Sequence, residues 1–99
     1  MIERVRFTPQ ARRDVREARE WYDAQRGDWG KIFVRRLEEC TRAIQEMPRR
    51  FPIAGGEVRR AKMRQFPYDI IYEYSSAEVT IHAVFHRSRD QQRWMDRLS

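Results

Sequence analysis

His86 has the widest chemical reach of any residue in this sequence. An imidazole titrates at about pH 6.5 when unperturbed, so it can take a proton from a ribose hydroxyl near neutrality. Metal-independent cleavage of RNA also needs a cation on the scissile phosphate and a proton donor for the leaving oxygen. Arg64 or Arg89 and Arg87 are of the right type for those parts. Against this stands the commoner fate of a lone histidine at a strand end, which is structural.

The arginines are the second candidate. Arg59, Arg60, Lys62 and Arg64 fall in or beside one strand-like segment with no acid among them, and Arg87, Arg89, Arg93 and Arg97 follow the end of another. Neighbouring strands would gather them at one edge or face, able to bind phosphates beside aromatics that stack bases or peptide rings. Of the 21 cationic residues only Lys31 and Lys62 are lysines, and the planar arginine fork suits carboxylate and phosphate better than a point charge does. The competing reading is an ordinary solvated face in a chain that uses Arg for nearly every surface cation. The net charge of +6 and a pI near 10.2 favour an anionic partner either way.

Other chemistry is poorly supported. There is no GxGxxG, Walker, HExxH or CxxC motif, and His82 with His86 at strand spacing makes a poor metal site, so neither metal nor cofactor is expected. Cys40 is the single cysteine. It falls on the apolar stripe of a helix, where it reads as a small core residue rather than a nucleophile, and a reducing compartment fits. Glu3, Arg4 and Arg6 interrupt any apolar start, which argues against a leader or membrane span and for a cytoplasmic protein.

The elements that must position these residues follow from periodicity. With 99 residues, 40% hydrophobic and 12% aromatic, the chain suits one domain spanning 1–99 with a single core. Ile2, Val5 and Phe7 suggest a first strand. Thr8-Pro9 then starts a helix with Ala11, Val15, Ala18, Tyr22 and Gln25 at steps of four and three. Gly27 to Gly30 breaks it, and Phe33, Leu37, Cys40, Ile44 and Met47 mark a second helix that Pro48 ends. The pair should form a helical hairpin covering one face of a sheet.

Pro48 to Gly56 reads as loop, followed by strands over Val58 to Arg64, Tyr68 to Tyr74 and Val79 to His86, with turns at Phe66-Pro67 and Ser75-Ser76-Ala77. Alternation along the last strand puts Val79, Ile81, Ala83 and Phe85 against the helices, and Thr80, His82, Val84 and His86 on the open face. Asp90 caps a short final helix carrying Arg93, Trp94, Arg97 and Leu98. The expected fold is α+β in the order βααβββ, a mainly antiparallel sheet with the hairpin on one face and a helical tail. Strand order does not follow, except that the last three strands should be neighbours.

Several of these residues together resemble the RelE/ParE family of toxins from type II toxin–antitoxin systems, and the match covers nearly the whole chain. They are Phe7-Thr8-Pro9 with Ala11, Trp21-Tyr22, Arg59-Arg60, and Phe66-Pro67-Tyr68 leading into Ile70-Ile71-Tyr72. Ile81 to His86 and Arg87-Ser88-Arg89-Asp90 with Trp94 and Arg97 complete the pattern, which is similar to ParE-like members and plasmid-stabilisation proteins.

The resemblance implies a toxin neutralised by a cognate antitoxin, with either DNA gyrase or ribosome-bound mRNA as target. ParE-like gyrase inhibition is favoured, because the paucity of lysine and the lack of a Tyr after the last strand depart from the RelE type of site. A RelE-like endoribonuclease is the alternative, with His86, Arg64 and Arg89 as its catalytic residues; a non-toxic binding module is the third. The expected target contacts are Arg59, Arg60, Arg64, Arg87, Arg89 and Arg97, with Trp94 packing the tail that presents them.

Overall fold

Thr8 Oγ1 accepts the amide of Ala11 at 3.1 Å, satisfying one of the free donors at a helix start. Helix α1 (Pro9–Gln25) therefore begins where the sequence places it. In the computed structural model, which describes residues 3–25 and 27–98, it follows β1 (Arg4–Phe7) and leads into α2 (Trp29–Glu46). Ile2, expected in the first strand, and the side chain of Trp94 lie outside the described residues.

The break between the helices is shorter than expected, since Trp29 and Gly30 already belong to α2. A Cβ at Gly30 would come within 1.8 Å of the Asp23 carboxylate, the exposed end of a side chain that can swing aside. The hairpin stripes bury Ala11, Ala18, Phe33, Leu37 and Ile44, with Val15, Tyr22 and Cys40 packed beside them. Each large aliphatic or aromatic side chain so buried contributes about 1.5–3 kcal/mol. Two expected stripe members lie outside this core, Gln25 being exposed and Met47 55% exposed beyond the end of α2.

Next come β2 (Ile53–Gly55), β3 (Val58–Lys62), β4 (Tyr68–Ser75), β5 (Glu78–His86) and α3 (Gln91–Leu98). The sheet order is β1-β5-β4-β3-β2. The last three long strands are neighbours and antiparallel, as expected, while β1 joins β5 in parallel. The segment read as loop contains β2, a three-residue edge strand with an irregular register on β3. Such a short piece carries no alternation to reveal it.

The consequential departure lies inside β5. Ile71 pairs with Ala83, but the next residue of β4, Tyr72, pairs with Ile81, so His82 is the extra residue of a β-bulge. A one-residue shift exchanges the faces of everything beyond it. Val79 and Ile81 do face the helices, but past the bulge Val84 joins them and Ala83 and Phe85 turn to the other side, where they cluster with Ile71 and Val58. His86, opposite Tyr68, is accordingly on the helix side, not on the open face expected of it.

Candidate functional site

The bulge survives because distant groups satisfy its backbone. Beyond Ile81, β5 has no strand on its β1 side, and its polar groups there meet side chains instead. Thr8 Oγ1 donates to the His82 carbonyl at 3.4 Å, Arg97 Nη1 donates to the same oxygen at 3.0 Å, and the Val84 amide donates to Asp14 Oδ2 at 3.0 Å. Arg97 also grips both oxygens of Asp14, at 2.9 and 3.2 Å, while its guanidinium lies 4.6 Å from the centre of the Phe85 ring. A two-pronged bond to a buried carboxylate is the strong form of this interaction. Arg97 thus fastens α3 to α1 and β5.

At the end of β5 the chain turns back on itself. The amide of Arg89 donates to His86 Nδ1 at 3.1 Å, with the Ser88 hydroxyl 3.4 Å away. An amide can only donate, so Nδ1 is the unprotonated nitrogen and the neutral ring carries its proton on Nε2. Burial first, and the Arg89 guanidinium second, hold the His86 pKa below the ordinary imidazole value. His86 is therefore a neutral donor at physiological pH, with its basic lone pair occupied.

Asp90 organises the same corner. Its Oδ2 accepts the His86 amide at 3.1 Å, and Arg89 Nε and Arg93 Nη1 lie 3.2 and 3.6 Å from Oδ1. Burial alone would raise the Asp90 pKa, but the hydrogen bonds from Arg89 and His86 outweigh it and the pKa is lowered. Arg89 Nη2 also donates to the Tyr68 hydroxyl at 3.1 Å. A cavity of about 180 Å³ opens here, lined among others by Asp14, Glu17, Trp21, Tyr68, Arg89 and Arg93.

The expected contact residues therefore divide. Arg60 and Arg87 both turn to Asp69 on the open face, Nε to carboxylate at 3.6 and 3.0 Å. Arg59, on the helix side, donates to the carbonyls of Arg49 and Phe51 at 3.2 and 2.8 Å and holds the loop before β2. Arg64 lies 3.9 Å from Glu39 of α2 and lines a different cavity from the one beside Tyr68 and Arg89. The grouping of Arg64 with His86 and Arg89 is thus not formed. Cys40 donates to the Lys62 carbonyl at 3.8 Å, and burial pushes its thiol up to about 11, which leaves it a poor nucleophile.

Three residues that shape this region were not among the expected site residues: Asp14, Asp69 and Trp21, the last named only within the family pattern. Asp14 and Asp69 are the buried carboxylates that organise the arginines. Trp21, 51% exposed, separates the cavity beside Arg89 from a second of about 280 Å³ lined by Tyr22, Trp29, Phe66 and Pro67. Asp14 did leave a signal, an acid on the apolar stripe of α1. Among the described residues no group of three or more His, Cys, Asp or Glu is placed to hold a metal ion, and no helix is long and apolar enough to cross a membrane.

A helical hairpin on one face of a five-stranded, mostly antiparallel sheet, followed by a short C-terminal helix, is the fold shared with solved ParE- and RelE-like structures. The family model described as ParE toxin of the type II toxin–antitoxin system parDE matches residues 5–91, and the chain belongs to that family.

Solved structures agree on the fold. A chromosomal ParDE system from P. aeruginosa superposes with a TM-score of 0.76 at 16% identity, covering 86% of this chain and 96% of that one. A RelBE2 toxin–antitoxin complex from Mycobacterium tuberculosis gives 0.62 at 22% identity, over 88% and 100%. An archaeal RelE-RelB complex from Pyrococcus horikoshii gives 0.56 at 17%, over 90% and 99%. Among curated proteins, none matches the chain in sequence.

Proposed function

We propose that this chain is the toxin of a type II pair, silenced by a cognate antitoxin, and that it acts by binding DNA gyrase rather than by cutting RNA. The observation that carries the second half is the hydrogen bond from the Arg89 amide to His86 Nδ1. A general base must present a free lone pair to the hydroxyl it deprotonates, and the neutral ring here presents an N–H instead. The arginines that would meet a scissile phosphate are likewise engaged, Arg87 with Asp69 and Arg89 with Asp90 and Tyr68.

The ParE family match supports gyrase as the target, and toxin–antitoxin complexes among the structural relatives support an antitoxin partner. Either target places the protein in the cytoplasm. Ribosome-dependent RNA cleavage is the alternative, because two of those structural relatives are a RelBE2 and a RelE-RelB complex.

Expression without antitoxin tests the reading. Growth arrest should occur and should persist in His86→Gln. Arrest lost in that variant, by the two to four orders of magnitude in rate that acid–base catalysis is worth, would favour the nuclease. Unimpaired growth with the wild-type chain would make it a non-toxic binding module.

A further inference from the structure

Away from the Tyr68–Arg89 corner, a groove of about 400 Å³ runs between α2 and the segments flanking β2 and β3. Its size is in the range that holds a few side chains of a ligand. Its cationic lining comes from Arg36, Arg50, Lys62 and Arg64, and its acid from Glu39. That one carboxylate is shared, at 2.8 Å from Arg36 and 3.9 Å from Arg64. Among the described residues Arg50 has no acidic partner within salt-bridge distance, and its guanidinium rests 5.3 Å from the centre of the Phe51 ring. The cavity beside Arg89 is the opposite case, with three acids around two arginines. Among the described residues, this groove is thus bordered by more positive charge than its one acid compensates.

The floor is apolar. Ala43 and Cys40 contribute one wall and Phe51 the other, and the Cys40 thiol is turned to the Lys62 carbonyl. Arg36 is held rigidly, since its Nε donates to Gln65 at 2.9 Å while Nη1 holds Glu39, so a partner finds its charge already positioned.

We propose that this groove docks an acidic peptide segment of a partner protein, one aliphatic side chain on the Ala43–Phe51 floor and flanking carboxylates on Arg50 and Arg64. On the function proposed above the bearer is the antitoxin, and that assignment rests on that reading; the chemistry of the groove does not. A bare phosphate would leave the floor uncovered. A nucleic acid would want an open ring to stack on, whereas the Phe51 ring already meets Arg50 and the edge of Tyr72.

The test uses the full chain and a fluorescein-labelled peptide of alternating Glu and Asp around a central Leu, followed by anisotropy. Binding should weaken about tenfold when Arg50→Glu and Arg64→Glu are combined, the modest effect expected when exposed charge pairs are reversed. It should be nearly unchanged in Arg13→Glu with Arg16→Glu, an equal charge change on the exposed side of α1. Because Cys40 is the only cysteine, bound peptide should also slow its alkylation by iodoacetamide.

Equal weakening by both pairs of reversals would overturn the proposal, as would an alkylation rate that peptide leaves unchanged. So would displacement of the peptide by millimolar inorganic phosphate or by a short oligouridine in preference to an unlabelled copy. None of these results touches growth arrest on expression, on which the toxin reading itself depends.

Discussion

Tyr68 and His86 stand directly opposite each other across β4 and β5, ring centroids 5.3 Å apart, on the face that the helices cover. The bulge at His82 puts the imidazole there, and the turn that follows closes the Arg89 amide onto its Nδ1. One register shift thus decides which nitrogen of His86 faces outward and what it can do.

The ring state is directly observable. Nitrogen-15 NMR of the imidazoles should show His86 as the Nε2–H tautomer at neutral pH, titrating below an ordinary histidine because burial and Arg89 oppose its charge. A group whose pKa is lower folded than unfolded is protonated first in the unfolded chain, so its contribution is intact above about pH 6.5 and is lost as pH falls through the folded value. Urea midpoints measured from pH 8 to pH 5 should therefore fall less steeply in His86→Gln than in the wild type.

Asp14 and Arg97, 83 residues apart in sequence, should be strongly coupled. Arg97→Ala leaves a buried carboxylate without its cation and frees the His82 carbonyl, at a cost of about 3 kcal/mol. Asp14→Ala strands the Val84 amide and Arg97 at a similar cost. The double variant should lose clearly less than the sum of the two, as a double-mutant cycle by chemical denaturation will read.

Ser76 and Ala77 form the β4–β5 turn with φ of 53° and 59°. The left-handed region costs a residue with a Cβ roughly 1–2 kcal/mol, and two-residue hairpins of this kind favour glycine there. Ala77→Gly should therefore stabilise by about 1 kcal/mol, raising Tm by about 4–8 °C for a domain of this size. A lower Tm would mean that the turn is held by something other than its backbone preference.

Much of the frame was legible because its signals are local. Thr8-Pro9 announces a helix start, Phe33, Leu37 and Ile44 repeat at helical spacing, and the run from Tyr68 to Tyr74 is rich in strand formers. The faces of β5 beyond Ile81 were not legible. No glycine marks the bulge; it is held by Thr8, Asp14 and Arg97, all remote in sequence. The pairing of the arginines was not legible for a related reason. Periodicity places cations on a surface, but not the single buried acids, Asp69 and Asp90, that draw them into pairs.

Whether the chain binds or cuts is tested most directly by adding the purified protein to two reconstituted systems, gyrase acting on relaxed plasmid and ribosomes programmed with a defined message. A gyrase-binding toxin will abolish supercoiling or trap cleaved DNA, leave the message intact, and be as effective with His86→Gln as in the wild type. Cut message with normal supercoiling, abolished by His86→Gln, would contradict gyrase binding.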